Sequence, residues 1–200
     1  ENPAQARAVQ LFRARGGLMR MAEAVRSGIH RRTLYALRDE GLVEQLGRGL
    51  YRLAGAPPLA HPDLVTVARR APKGVVCLLS ALAYHDLTVE VPHEVYLAVP
   101  RDSGPPRFDH PPVRVFRVGP RAFGEGIETH DVDGHPVRVY SREKTLADCF
   151  KYRNVVGLDT AVEAVRRYRD QGRVDVDGVL RAARACRVER IIRPYLEAVL

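Results

Sequence analysis

A short basic segment, residues 30–38, carries side chains that can hydrogen-bond to the bases and phosphates of nucleic acid. If a helix begins near residue 30, its first side chains can reach base edges in the major groove. There an arginine binds O6 and N7 of guanine through two hydrogen bonds, and a threonine contacts the methyl group of thymine. Side chains one or two turns further along the helix would more naturally contact phosphates or the groove walls. The alternative to DNA binding is that these residues form an ordinary solvated helix face. The candidate DNA-binding residues are His30, Arg31, Arg32, Thr33, Tyr35 and Arg38.

Two more arginines follow in a segment that contains two glycines. Arg48 lies between Gly47 and Gly49, and an arginine at such a flexible tip can enter a narrow minor groove or bind a phosphate. Arg52 lies four residues later and is a candidate to assist it. The alternative is a plain hairpin whose arginine only increases solubility.

The apolar pattern predicts a short helix ahead of the basic segment. Leu18, Ala22 and Val25 recur at the spacing of one helix face. Gly28 can supply a sharp turn after this helix, because glycine tolerates positive φ. Residues 3–14 form a further candidate helix, which would pack behind the other two.

The basic segment is itself predicted to be a helix that is followed by a hairpin. Leu34 and Leu37 face inward at helical spacing, which leaves the basic side chains on another face. Gly41 can end the helix, and residues 42–46 and 50–53 then flank a glycine turn in the manner of paired strands. Helix, turn, helix and hairpin together predict a winged helix-turn-helix, a motif that reads double-stranded DNA.

The distribution of charge favours an anionic partner. The 200-residue chain has a formal net charge of +8 and a pI near 9.8. Residues 1–53 hold 10 basic against 5 acidic residues, whereas residues 54–200 hold 22 against 19. Phosphate contacts supply much of the affinity for DNA, so an excess in the N-terminal quarter fits that need. The alternative is a general preference for arginine, since 29 of the 32 basic residues are arginine.

A second group of polar residues, 130–135, raises the possibility of metal-dependent catalysis. Asp131 and Asp133 are the nearest candidate pair for Mg²⁺ in a nuclease or nucleotidyltransferase, but no Gly-Ser phosphate loop precedes them. Asp133 precedes a glycine and suits a tight turn, while strand alternation separates His130 from Asp131. Ser141 has no oxyanion-loop signature near it and is better explained as a helix cap. The sequence also lacks a P-loop and a GxGxxG motif, and it predicts no catalytic residue, no metal and no cofactor.

The cysteines and the apolar runs bear on location. Cys77, Cys149 and Cys186 are odd in number and far apart, which argues against a zinc finger or a disulfide framework. The longest apolar run, residues 75–83, is too short to span a membrane, and no signal peptide is visible. We expect a cytoplasmic protein, and the start at Glu1 without a methionine leaves a trimmed N-terminus open.

A change of pattern at residues 54–58 predicts a domain boundary, because the proline pair there interrupts regular structure. Residues 1–55 would form the winged helix-turn-helix, and residues 61–200 a larger domain. Residues 75–79 are read as a strand, with Ser80 capping a helix over 81–87; a single helix over 75–87 is the alternative. A proline-rich loop is expected at 101–112.

The predicted fold class is α+β: an N-terminal winged helix-turn-helix, then a larger α+β domain with a mostly antiparallel sheet and C-terminal helices. The turn Asp133-Gly134 is a strong hairpin signal. Strands are expected at 93–99, 113–118, 127–132 and 136–140, and helices at 62–71, 142–152, 158–171, 176–186 and 189–199.

Several motifs of the chain resemble AbiEi-type antitoxins. The N-terminal part carries R-x-x-x-A-x-x-S-G-I-x-R-x-T-L-x-x-L-x-x-x-G-L-V followed by G-R-G-L-Y-R-L. Further landmarks similar to the family's C-terminal domain lie at residues 72–75, 79–82, 95–100 and 139–148, the last reading V-Y-S-R-E-K-T-L-A-D. The resemblance covers roughly residues 16–200. Many winged helices have a G-R-G-x-Y turn, but its combination with S-A-L and the E-K-T-L-x-D segment is fairly specific.

The resemblance implies a bacterial two-gene toxin–antitoxin or phage-defence operon with a nucleotidyltransferase toxin. The winged helix of the family represses the operon by binding inverted repeats, and its C-terminal domain is needed to neutralise the toxin. This chain departs from the family in two places: His30 replaces a serine-like cap, and Met19 replaces a threonine-like cap of the preceding helix. Carried across by position, the DNA-reading role falls on Arg31, Arg32, Thr33, Tyr35 and Arg48.

Three functional hypotheses follow. The first is a non-enzymatic transcriptional repressor and antitoxin that binds double-stranded operator DNA and is not a membrane protein. The second is a nucleic-acid-processing enzyme that its winged helix targets to DNA. The third is a pure interaction protein that neutralises a partner without repressing transcription.

Overall fold

The computed structural model describes residues 2–104, 106–172 and 174–199. Glu1 and Leu200, the outer ends of the two predicted domains, and Pro105 of the predicted loop lie outside the described residues. Among the described residues, every helix is too short or too polar to cross a lipid bilayer.

The N-terminal unit consists of three helices and a small antiparallel sheet. Its sheet has the strand order β1-β3-β2, and its core is built around Phe12, Leu34, Leu37 and Tyr51. The hairpin and the helix that carries the basic segment are confirmed. The elements are α1 (Pro3–Arg13), β1 (Leu18–Arg20), α2 (Met21–Arg26), α3 (Arg31–Asp39), β2 (Val43–Gly47) and β3 (Leu50–Leu53).

The structure corrects the start of the second helix. Leu18 lies in strand β1, which pairs antiparallel with β3, so α2 begins only at Met21. Within α2 the buried residue is Ala24, whereas Ala22 and Val25 are exposed, so the predicted apolar stripe is wrong. Tertiary contacts override the local helical spacing here. Pairing with β1 satisfies the backbone hydrogen-bonding groups at the free edge of β3. Strand alternation then buries the Leu18 and Met19 side chains on opposite faces. Met19 is therefore a core residue of the strand and not a helix cap.

The larger unit has a five-stranded sheet covered by helices, and the predicted α+β class is confirmed. Strands β6 and β7 have the bounds expected from sequence, and the last three long helices agree within two residues. The elements are α4 (Pro62–Arg70), β4 (Val75–Val76), α5 (Leu78–Tyr84), β5 (Val95–Pro100), β6 (Val113–Val118), α6 (Pro120–Gly124), β7 (Ile127–Val132), β8 (His135–Tyr140), α7 (Arg142–Lys151), α8 (Arg153–Val156), α9 (Leu158–Asp170), α10 (Val176–Cys186) and α11 (Glu189–Val199).

Two details of this unit differ from expectation. The sheet, of order β6-β5-β4-β8-β7, is mixed and not mostly antiparallel, since β5/β6 and β4/β8 are parallel pairs. The connection after β5 is long enough to carry the chain back to the same edge, which a parallel pair requires. Helix α5 begins at Leu78, so Ser80 does not cap it; its hydroxyl accepts a hydrogen bond from the Tyr96 backbone N–H at 3.0 Å and ties the helix to β5.

The two units are packed against each other through a shared apolar cluster. Leu18 and Leu50 of the small sheet contact a group that includes Val65 of α4 and Val137 of β8. Polar contacts cross the same boundary, because Glu23 of α2 forms an ion pair with Arg69 of α4. The orientation of the winged unit is thus held by both apolar and charged contacts.

Candidate nucleic-acid interface

Helix α3 presents its first basic residues to solvent from the predicted position. His30 caps the helix, and its Nδ1 accepts a hydrogen bond from the Arg32 backbone N–H at 3.3 Å. The helix therefore begins at Arg31 even though a serine-like cap is absent. Because Leu34 and Leu37 are fully buried, the arginine side chains at the start of α3 must point outward.

Toward the end of α3, the exposed Arg38 side chain makes contacts within the protein. Arg38 Nη2 lies 2.7 Å from Asp39 Oδ1, and its guanidinium carbon lies 5.2 Å from the centre of the Tyr35 ring. The hydrogen bond to Asp39 raises the pKa of Arg38 above its ordinary value. Thr33, in the first turn of α3, is half-buried. Arg38 and Tyr35 thus form one exposed unit that can lie along a groove wall, with part of the positive charge offset by Asp39.

The wing is held close to the helices by a backbone contact. Arg48 is exposed at the tip between β2 and β3, and Gly49 has φ +72, a value that glycine tolerates without strain. The Met21 backbone N–H donates to the Gly49 carbonyl at 2.8 Å, which fixes the tip beside the start of α2. The structure therefore brings Arg48 to the same side of the unit as Arg31, where both line one groove.

Arg52 is placed differently from the other predicted residues. Its Nη2 donates hydrogen bonds to the carbonyls of Ala56 at 2.7 Å and Pro57 at 2.6 Å, and Nη1 lies 3.9 Å from Glu44 Oε2. The side chain is thus engaged in securing the segment that leads to the larger unit. The structure does not bring it together with Arg31 and Arg48.

The groove that contains Arg31 and Arg48 includes arginines that the sequence pattern did not single out. It has a volume of about 610 Å³ and lies between the winged unit, the end of α4 and residues 106–108. The only sequence signal for it was the general excess of basic residues, because its members come from segments far apart in the chain. The arginines that line it are Arg20, Arg26, Arg31, Arg48, Arg70 and Arg107.

The carboxylates considered for catalysis are bound to backbone amides. Asp133 accepts hydrogen bonds from the N–H groups of His61 at 3.0 Å and Ala60 at 3.1 Å, and these bonds lower the pKa of its carboxyl group. Asp131 Oδ1 accepts from the Gly134 N–H at 2.9 Å and closes the β7–β8 turn. Within the described ranges, no group of three or more His, Cys, Asp or Glu side chains is placed to hold a metal ion. Asp131 therefore stabilises the β7–β8 hairpin, and Asp133 holds residues 60–61, which lead into α4, against that hairpin.

The three cysteines and Ser141 also have structural explanations. Cys77, Cys149 and Cys186 are free and buried, and burial raises the pKa of each thiol, which makes them poor nucleophiles. Ser141 caps α7, since its hydroxyl accepts from the Lys144 N–H at 3.2 Å.

The E-K-T-L-x-D motif contributes a buried ion pair. Lys144 and Asp148 lie one turn apart on α7, and Lys144 Nζ is 2.5 Å from Asp148 Oδ2. Asp148 Oδ1 also accepts from the Cys186 thiol at 3.2 Å, and Lys144 Nζ lies 4.0 Å from the centre of the Tyr140 ring. The Lys144 side chain is 0% exposed, so it is enclosed by protein and the pair belongs to the core of the larger unit.

Comparison with known proteins agrees with the sequence resemblance. Residues 6–54 match the family described as transcriptional regulator, AbiEi antitoxin, which confirms the resemblance for the N-terminal region. No curated protein matches the chain. Among solved structures, the RV2827C protein from Mycobacterium tuberculosis is similar, with a TM-score of 0.59 and 14% identity over 97% of this chain and 80% of that one. At this identity the likeness establishes a shared fold.

Proposed function

We propose that this chain, whose N-terminal region matches the AbiEi antitoxin family, is a transcriptional repressor and the antitoxin of a bacterial toxin–antitoxin system. One observation carries the proposal: Arg31 and Arg32 are exposed at the capped start of α3, and Arg48 lies on the adjacent wing. This is the placement that a winged helix-turn-helix needs to read base edges and hold the backbone.

The finer parts of the proposal concern partners and location. The operator would be a pair of inverted repeats in double-stranded DNA upstream of the operon, and the toxin would be a nucleotidyltransferase encoded by the neighbouring gene. Residues 1–55 would recognise DNA, and residues 61–200 would neutralise the toxin. The protein would act in the cytoplasm, where its target DNA lies, and three free buried thiols are compatible with that compartment.

The two competing hypotheses make different demands on the chain. The enzyme hypothesis depends on Asp131 and Asp133, whereas the hydrogen bonds that these side chains accept from backbone amides give both a structural role. An antitoxin that acts only by protein interaction would not need exposed arginines on α3. A reporter gene under the operon's own promoter distinguishes such a protein from a repressor. Repression of that reporter supports the proposal, and unchanged expression favours the interaction protein.

Arg31→Ala or Arg32→Ala should weaken operator binding by about 1–3 kcal/mol and relax the sequence preference, because a bidentate contact with a base is lost. Arg48→Ala should lower affinity with less change in preference, since a wing arginine mainly positions the protein. Fluorescence anisotropy with operator and scrambled duplexes measures both quantities. Arg121→Ala, which removes an exposed arginine of α6, is the matched control and should leave binding unchanged. Loss of only non-specific binding in the α3 variants would show that another face of the helix reads the bases.

A further inference from the structure

A cavity of about 400 Å³ lies on the larger unit, between the start of α4, helix α5 and the segment that connects α5 to β5. Its walls include Leu64 of α4, Ala83 and Tyr84 of α5 and Val95 of β5. Among the described residues, none of the winged unit lines this cavity, and it shares no lining residue with the basic groove beside the wing. The larger unit therefore has a concave surface of its own.

Two valines at the rim of this cavity are the most exposed of the large apolar side chains in the described chain. Val89 is 76% and Val91 is 80% exposed, whereas the other exposed large apolar residues lie between 37% and 42%. Both valines belong to the connection between α5 and β5, and their backbone groups form no hydrogen bond with other described residues. Isolated exposed valines are common, but an apolar rim that continues into a cavity is typical of an interaction surface.

The formal charge of this surface is negative, although the chain as a whole carries +8. Asp63, Glu90 and Glu94 line the cavity, and no lysine or arginine is among the described residues that do so. Within the ranges that the structure describes, Asp63 and Glu90 form no ion pair, while Glu94 lies 3.7 Å from Arg114. Carboxylates at such a rim attract a cationic partner and repel DNA.

Hydrogen bonds hold the walls of the cavity in place. The Thr160 hydroxyl donates to Glu90 Oε1 at 3.0 Å, which ties the connecting segment to α9. The Ser80 hydroxyl donates to the Glu94 carbonyl at 3.4 Å, and Asp133 fixes the backbone of residues 60–61 on the other side. A surface that is already ordered binds a partner at a lower entropic cost than one that must first be ordered.

We propose that this cavity and its valine rim bind the toxin, by accepting an apolar side chain that is flanked by basic residues of the toxin. This inference rests on the proposed function and deepens it, because it gives the neutralising role of residues 61–200 a contact surface. A protein fits better than a small molecule, since a ligand enclosed in the cavity would leave Val89 and Val91 in water. Because no described residue belongs to both this surface and the basic groove, the chain can bind DNA and the toxin at the same time.

The first test removes the apolar rim from the full-length chain. Val89→Ser together with Val91→Ser should weaken binding of the purified product of the neighbouring gene, the proposed toxin, by about 10–100-fold, because truncating an apolar anchor removes much of the affinity of an interface. Isothermal titration calorimetry measures this affinity. The matched control, Val155→Ser with Val174→Ser, truncates two exposed valines outside the cavity and should bind as the wild type.

The second test removes the charge and keeps the shape. Asp63→Asn together with Glu90→Gln should weaken toxin binding about 3–10-fold at low salt and make the affinity less dependent on salt, since fewer charges then attract the toxin. Glutamine at position 90 retains an oxygen that can accept the hydrogen bond from Thr160. Asp102→Asn with Asp177→Asn changes the net charge equally at exposed positions outside the cavity and is the matched control.

Cellular readouts separate this inference from the proposed function. The Val89→Ser, Val91→Ser variant should fail to restore growth beside the toxin, yet it should repress the operon's reporter gene as the wild type does. Toxin binding at wild-type strength in this variant, or growth restored by a wild-type chain that does not bind the toxin, would overturn the inference and leave the proposed function standing. A wild-type chain that neither represses nor restores growth would overturn the proposed function itself.

A second copy of this chain is the competing occupant of the surface. Analytical ultracentrifugation of the wild type and the Val89→Ser, Val91→Ser variant, each without toxin, measures self-association. The same oligomeric state in both proteins is the expected result. A wild-type oligomer that dissociates in the variant while toxin binding is unchanged would contradict the inference and assign the surface to self-association. Circular dichroism of each variant establishes that the fold is retained.

Discussion

Simultaneous replacement of Arg31, Arg32 and Arg48 by glutamate should abolish operator binding and repression. The change places three negative charges in the grooves of the proposed complex, where the phosphates of both strands repel them, so attraction becomes repulsion at the centre of the interface. All three side chains are exposed and none lies in an apolar core cluster, so the fold should persist. A reporter gene under the operon's own promoter measures repression, and circular dichroism measures folding.

The same variant tests the division between the two units. When it is expressed from an independent promoter together with the proposed toxin, it should still restore growth, because neutralisation is assigned to residues 61–200. A folded variant that fails to restore growth would contradict this division. The matched control replaces Arg117, Arg121 and Arg190 by glutamate, which changes the net charge equally at exposed positions outside the groove. This control should still repress.

Replacement of Lys144 by methionine should lower the free energy of unfolding by about 3–5 kcal/mol, because it leaves the Asp148 carboxylate buried without its cation. Lys144 is 0% exposed and Asp148 only 6%, so water cannot take the place of the lost partner. The second replacement, Asp148→Leu in the same chain, should recover a large part of the loss, since no buried charge then remains unpaired. Urea unfolding followed by circular dichroism measures all three proteins.

An exposed pair of the same spacing provides the control for this result. Arg193 and Glu189 on α11 also lie four residues apart, and their side chains are 48% and 28% exposed. Arg193→Met should therefore cost less than about 1 kcal/mol, the usual worth of a surface ion pair. Equal stability of Lys144→Met and the wild type would show that the buried pair does not hold the core of the larger unit.

Structural elements that depend on residues close together in the chain could be predicted from the sequence. The arginine-bearing helix, the wing and the Ser141-capped helix depend on caps, turns and apolar spacing within about ten residues, and all three are present. The β7–β8 hairpin is of the same kind, because Asp133 and Gly134 both have the positive φ that such a turn requires.

Features that depend on distant contacts could not be read in this way. Leu18 has helical spacing to its neighbours, yet its backbone pairs with Arg52, thirty-four positions away, and this pairing decides its conformation. The parallel pairing of β5 with β6 is likewise invisible in the composition of either strand. Arg20 and Arg107 line the same basic groove although they are far apart in the sequence. No local sequence pattern indicates that they are close in space.

The most direct test of the central claim is the salt dependence of wild-type binding to the DNA upstream of the protein's own operon. If the interface covers about 5–7 phosphates, affinity should fall roughly 10²–10⁴-fold between about 50 and 200 mM salt. The operator should be preferred over a scrambled duplex at every salt concentration, because α3 contributes base contacts that do not depend on counterion release. Fluorescence anisotropy with both duplexes gives the two results in one titration. A steep salt dependence with a constant operator preference is the predicted result, and binding that is absent, or that does not change with salt, would contradict the account.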